Sequence, residues 1–141
     1  MNKTLMIGVL AAALAGVAYY ATQTGESGPG APAQGAAMVE VTLPQELSQT
    51  AQMGKKAFNA VCADCHGQNA AGKMGNGPPL IHKIYEPSHH GDMAFHMAVQ
   101  NGVRAHHWRF GNMPAQKGLT RADVEGIIAY VREVQQVNGI N

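Results

Sequence analysis

The chain is short of aromatic residues, of charge and of cysteine. Phe, Trp and Tyr make up 6% of its 141 residues, although 45% are hydrophobic. A domain of this size normally fills its centre with rings, so a large apolar cofactor would close the gap. Charged residues are 13%, against about 25% in ordinary soluble domains, and the formal net charge is only +1. No basic stripe is present to follow a phosphate backbone, which excludes a nucleic-acid partner. The two cysteines sit three residues apart. A disulfide framework needs more of them at wider spacings. No cysteine follows the N-terminal apolar run, which excludes a lipid-modified N-terminus, and no repeat is present. After residue 43 no stretch alternates apolar and polar residues as a half-buried strand would.

What is present divides into three parts. In residues 1–21, Lys3 precedes an apolar run from Leu5 to Ala21. Two readings compete. Gly16-Val17-Ala18 is a passable cleavage site for a secretory signal peptide. The run is also close to the length that spans a bilayer, with Lys3 at the cytoplasmic interface and Tyr19 and Tyr20 at the far one. The uncleaved anchor is the preferred reading, and both export the remainder of the chain. Residues 22–42 are rich in Gly, Ala, Pro, Ser and Gln and read as a flexible linker. Residues 43–141 form the domain proper.

Within that domain three helices are predicted. Leu47, Ala51, Gly54, Phe58 and Val61 recur at three- and four-residue steps opposite Ser48, Gln52, Lys55, Lys56 and Asn59. That is an amphipathic helix entered through Pro44. Gly54 removes a side chain from its apolar face, which suits close approach by a second helix. A short helix is expected from Asp92 to Gln100, capped by Asp92 and stopped by Asn101-Gly102. The last runs from Thr120 to Gln136, with Thr120 and Asp123 as a capping-box start and Val124, Ile127, Ile128, Val131 and Val134 as its apolar stripe. Residues 67–91 read as loop. The fold class is all-α, and such long loops are tolerable only if they wrap a cofactor.

The first helix runs into Val61-Cys62-Ala63-Asp64-Cys65-His66. C-x-x-C-H is the attachment signal for c-type haem. Two thiols three apart at a helix end reach the two vinyl groups on one porphyrin edge, and the next residue, His66, lies under the iron. Three other uses of such a pair fit less well. A thioredoxin-like redox pair wants a preceding strand. A zinc site needs two more ligands at finger spacings. A plain disulfide is possible in an exported chain.

A haem that carries electrons usually fills both axial positions, and a thioether opposite histidine raises the potential. The candidates downstream are Met93, Met97, Met113, His82, His89, His90, His96, His106 and His107. Met93 and Met97 fall on the second helix, where core packing is the expected fate of methionine. Met74 is too near His66 to cross easily to the other haem face. Met113 lies in Gly111-Asn112-Met113-Pro114, a loop that can aim its side chain, and is the predicted sixth ligand.

Together these features resemble the class I cytochromes c, over residues 43–141. Gly54, Phe58 and Tyr130 look like that family's helix-crossing contacts, and Asn112-Met113-Pro114 is similar to its methionine loop. Gly77-Pro78-Pro79-Leu80 is similar to its loop on the histidine side of the haem. The resemblance implies that the Pro78 carbonyl accepts the ring N–H of His66 and that Leu80 packs on the haem, a contact that orients the ligand. It implies one covalent haem c, a cytochrome c fold and one-electron transfer without catalysis, in a bacterial monohaem cytochrome, periplasmic or anchored to the inner membrane by residues 4–21. Expected partners are redox donors and acceptors, such as membrane oxidase or reductase complexes or periplasmic dehydrogenases, and the membrane itself if the N-terminal segment is uncleaved.

Two features stand outside this pattern. Trp108, the single tryptophan, is either a core ring or a donor to a haem propionate, with Arg104 or Arg109 balancing the charge. Six histidines beyond His66 lie between residues 82 and 107. They are surface or hydrogen-bonding residues, or else a second metal site, copper being one candidate because imidazole suits copper and zinc. A gas-binding or enzymatic haem protein becomes the alternative if Met113 is not a ligand. From residue 43 onward nine Lys and Arg face seven Asp and Glu. Two propionates would cancel that excess, so steering towards a strongly acidic partner is not expected.

Overall fold

A computed structural model describes residues 33–141. The expected signal peptide or anchor over 1–21, and residues 22–32 of the expected linker, lie outside the described residues. Four helices follow in order: α1 Gln49–Val61, α2 Ala63–His66, α3 Asp92–Asn101 and α4 Arg121–Val137. Among the described residues there is no strand, only two isolated antiparallel pairs, Lys73 with Gly77 and Val103 with Met113. No described helix is long and apolar enough to cross a membrane.

The helices begin where side chains can satisfy orphan backbone donors. Helix α1 starts later than Pro44 suggested. Ser48 is its cap, accepting from the Ala51 N–H at 3.2 Å. Ser48 Oγ also donates to Glu133 of α4 at 2.6 Å, so the cap doubles as a tie between the terminal helices. Gly91 caps α3, with Asp92 as its first residue. Asp92 is better used elsewhere, accepting from Arg132. Thr120 and Asp123 form the expected capping box on α4. Asp123 is held below the ordinary carboxylate range by its bonds to the Thr120 hydroxyl and backbone N–H.

The core lies between α1 and α4. Ala51 and Phe58 of α1 pack with Ile127, Tyr130, Val131 and Val134 of α4, all buried. The Phe58 and Tyr130 rings are 5.5 Å apart and tilted by 58°. Burial of Phe58, Ile127, Val131 and Val134 contributes roughly 1.5–3 kcal/mol each. The crossing is close because two glycines meet there. A Cβ on Gly54 would stand 1.8 Å from the carbonyl oxygen of Gly126.

Three readings of the sequence need correction. Residues 33–42, expected as flexible linker, are strapped onto the domain. Gly35 N–H donates to Met74 O, Met38 and Val39 donate to Ala71 O, and Met74 N–H donates back to Ala36 O. Thr42 and the Asn138 side chain exchange two hydrogen bonds of 3.0 and 2.7 Å. The strap is held through its backbone, so its small-residue composition did not announce it. Met93 and Met97 do not pack in the core but reach the surface, 62% and 50% exposed. Residues 67–91 are not plain loop. They contain tight turns at Gln68–Ala70 and Lys83–Tyr85.

The glycine crossing gives a graded prediction. Gly54→Ala should lower the unfolding free energy in urea by about 3 kcal/mol, the upper end of the usual overpacking cost. Gly126→Ala should cost less, because its Cβ would meet Gly54 Cα at 3.2 Å. Equal losses would place the close contact elsewhere.

Candidate functional site

The C-terminal end of α1 carries the two thiols. At Cys62 the backbone stays right-handed, and its N–H donates to Phe58 O at 2.7 Å. Its own carbonyl then accepts from His66 N–H at 2.9 Å. The helical path therefore continues through a small break into α2 and ends at Gly67. That position needs glycine, because φ is +72° and a Cβ would meet Gly72 O at 2.2 Å. Cys62, Cys65 and His66 are thus spaced by helical geometry.

Both cysteines are unpaired, Cys62 partly buried and Cys65 exposed. Burial, then the neighbouring Cys65, pushes the Cys62 thiol up to about 11. Neither cysteine belongs to any metal-spaced cluster among the described residues.

His66 is oriented by the loop beneath it. Its Nδ1 lies 2.9 Å from Pro78 O. A carbonyl can only accept, so Nδ1 carries the proton and Nε2 keeps a free lone pair. Burial lowers the His66 pKa, with the Pro78 bond acting the other way. The ring is therefore neutral at pH 7, the form that ligates a metal. The loop comes this close because residue 77 is glycine. A Cβ there would stand 2.6 Å from Cys65 O. The turn before it is strained, with Asn69 and Ala70 both left-handed at φ 56° and 60°. Leu80 N–H and Ile81 N–H both donate to Ala70 O and hold the turn in place.

Leu80 is buried in the core cluster. Its carbonyl accepts from Gln135 Nε2 at 2.8 Å, and that amide also donates to Tyr85 O at 3.0 Å. Beside it, Arg132 donates to Tyr85 O at 2.7 Å, Gln135 Oε1 at 2.6 Å, Asp92 Oδ1 at 2.9 Å and His90 O. Its guanidinium also lies 5.1 Å from the Phe95 ring centre. Arg132 and Gln135 thus clamp the 80–92 loop and α3 to α4. The sequence reading passed over both. Their only signal was a charged and an amide side chain three apart beside the apolar stripe of α4.

Met113 and Trp108 are carried by the segment between α3 and α4. Met113 exchanges backbone hydrogen bonds with Val103, both 2.9 Å. Asn112 Oδ1 accepts from Ala105 N–H at 3.0 Å, so the methionine loop is cross-tied on both sides. Trp108 packs edge-on against His82 at 5.3 Å and stacks on Phe110 at 6.0 Å. Its Nε1 is buried without a partner among the described residues, as is the Tyr130 hydroxyl at the helix crossing. Burial raises the pKa of the nearby Tyr85 hydroxyl, with Trp108 acting the other way. This segment makes no hydrogen bond to residues 62–80. Arg104 and Arg109 are exposed.

The family model described as Cytochrome c matches residues 51–135, more than half of the chain. The chain belongs to the cytochrome c family. No curated protein and no solved structure matches it. The fold is accordingly the all-α cytochrome c fold, and the cofactor of this cytochrome is covalently bound haem c. The residues present fit that group. Two free thiols follow C-x-x-C-H spacing, and the His66 ring has one nitrogen committed and one free. The cytochrome is a haem-based electron carrier.

The Arg132 clamp gives the prediction for this region. Arg132→Ala leaves Tyr85 O and His90 O without their cationic donor and should cost about 2–3 kcal/mol in urea unfolding of the haem-loaded protein. Arg132→Lys should recover little, since one ammonium cannot replace a planar fork that reaches several acceptors. Full recovery by lysine would reduce the clamp to a simple charge effect.

Proposed function

We propose that the haem iron is held between His66 and Met113 and that the protein shuttles single electrons outside the cytoplasm without transforming a substrate. The observation that carries this reading is the commitment of His66 Nδ1 to Pro78 O, which leaves Nε2 available directly after the two attachment thiols. The bound haem supplies an Fe(III)/Fe(II) couple. The chain's own residues do the rest. Cys62 and Cys65 fix the cofactor covalently. Pro78 fixes the tautomer and rotation of His66, which keeps that ligand in place between oxidation states. The paired backbones of Val103 and Met113 restrict the methionine loop. A thioether from Met113, together with the His66 imidazole, would favour the ferrous state. Trp108 Nε1–H would donate a hydrogen bond to a haem propionate, and Leu80 would pack on the haem.

The working compartment is the periplasm, with the segment over residues 4–21 as either anchor or cleaved signal. The partners are redox proteins such as membrane oxidase or reductase complexes and periplasmic dehydrogenases. The apolar N-terminal run and the C-x-x-C-H attachment sequence support this placement.

The test is the optical spectrum of the haem-loaded protein, oxidised and reduced, with and without carbon monoxide. The expected result is a low-spin spectrum that ignores carbon monoxide. Met113→Ala should keep the haem attached and open the iron to carbon monoxide. Ready binding by the unaltered protein, or an unchanged spectrum in the variant, would remove Met113 from the iron and favour a gas-binding or enzymatic role.

A further inference from the structure

Four histidines that the electron-carrier reading does not use converge at one place. His89 and His90 come from the 80–92 loop, and His106 and His107 from the segment between α3 and α4. The two pairs are 16 to 18 residues apart in sequence, yet the rings of His90 and His107 are 5.2 Å apart, those of His89 and His107 5.3 Å and those of His90 and His106 6.0 Å. One ring nitrogen from each of His89, His90 and His107 lies within 4.8 Å of the other two.

We infer that His89, His90 and His107 bind one imidazole-seeking transition-metal ion, zinc or copper, at a site separate from the haem attachment residues. Three observations carry this. The first is a distance. His89 Nε2 and His107 Nε2 face each other at 3.3 Å. Two nitrogens each about 2.0–2.1 Å from one ion at a tetrahedral angle stand about 3.3 Å apart.

The second is how the rings are held. His90 Nδ1 lies 2.7 Å from Ile84 O, and His106 Nδ1 lies 2.8 Å from Arg104 O. Each carbonyl fixes the proton on Nδ1 and turns Nε2, with its lone pair, outward. Ligating histidines are typically oriented in this way, by a carbonyl or carboxylate on the other nitrogen. His106 lies beside the three but outside the group whose ring nitrogens come together.

The third is support from beneath. His90 N–H donates to Glu86 O at 2.8 Å, and His90 O accepts from Arg132. The other loop is fixed by the Val103–Met113 pair and the Asn112 bond to Ala105. Two strapped loops therefore present their rings to each other, which lowers the cost of ordering them around an ion.

The donor set selects the metal class. It offers only imidazole nitrogen, and no carboxylate joins the cluster. Calcium and magnesium want oxygen ligands. Neutral imidazoles suit zinc and copper, and affinity for the divalent ions rises to copper. His89 and His107 are exposed, so the ion can be loaded and removed from solvent.

The experiment is calorimetric titration of the haem-loaded full chain with Zn(II), and separately with Cu(II), in a buffer that does not chelate metal. Electron paramagnetic resonance of the Cu(II) form then counts coordinated nitrogens. One equivalent of either ion should bind, Cu(II) the tighter, with a signal from several imidazole nitrogens. His89→Ala and His107→Ala should each weaken binding by at least about tenfold. His96→Ala, on α3 and outside the cluster, should bind as the unaltered protein does. The haem spectrum should be the same in all variants, which separates this test from the Met113 assignment. Failure of both ions to bind stoichiometrically, or undiminished binding by a His89→Ala/His107→Ala double variant with an intact haem spectrum, would overturn the site.

Discussion

Everything functional in this domain hangs from the contact between Gly54 and Gly126. With no side chain at either position, the backbones of α1 and α4 meet closely enough that any Cβ on Gly54 would fall inside the Gly126 carbonyl. That approach lets Phe58 and Tyr130 pack against each other and buries the stripe of α4. It also fixes where α1 ends, and α1 ends on Cys62. The position of the haem attachment segment is therefore set in part by two glycines outside the C-x-x-C-H sequence.

Helix α4 is the other half of the arrangement. One face is apolar and meets α1. At its edge Arg132 and Gln135 satisfy backbone carbonyls of Leu80, Tyr85 and His90. A long loop on a small domain would otherwise leave such carbonyls to solvent or bury them unpaired. The loop so held brings Pro78 to His66 at one end and His89 and His90 to the partner histidines at the other. One helix thus organises the support of His66 and the histidine cluster through a single set of hydrogen bonds.

The sequence revealed what depends on local order. Helix α4 was legible because its stripe repeats at helical spacing and Thr120-Asp123 caps it. The end of α1 was legible because C-x-x-C-H compresses the attachment chemistry into five consecutive residues. What depended on residues far apart in the chain was not legible. Gly126 sits inside an otherwise ordinary helix and shows its purpose only when Gly54 is beside it. Arg132 and Gln135 read as the polar edge of an amphipathic helix. Residues 33–42 read as linker because backbone hydrogen bonding leaves no trace in composition. The histidine pairs were visible as pairs, but their meeting is a product of two loops folding onto each other. Met93 and Met97 were misjudged by position alone, since a short helix held by Arg132 and Phe95 need not bury its other faces.

Covalent haem attachment through Cys62 and Cys65 is tested most directly by the mass and the alkaline pyridine spectrum of the purified protein after full denaturation. One haem per chain should stay attached in denaturant, no thiol should be left to alkylate at Cys62 or Cys65, and the spectrum should be that of a haem with both vinyl groups saturated. A haem that extracts into acidified organic solvent, with both cysteines free to alkylate, would contradict it.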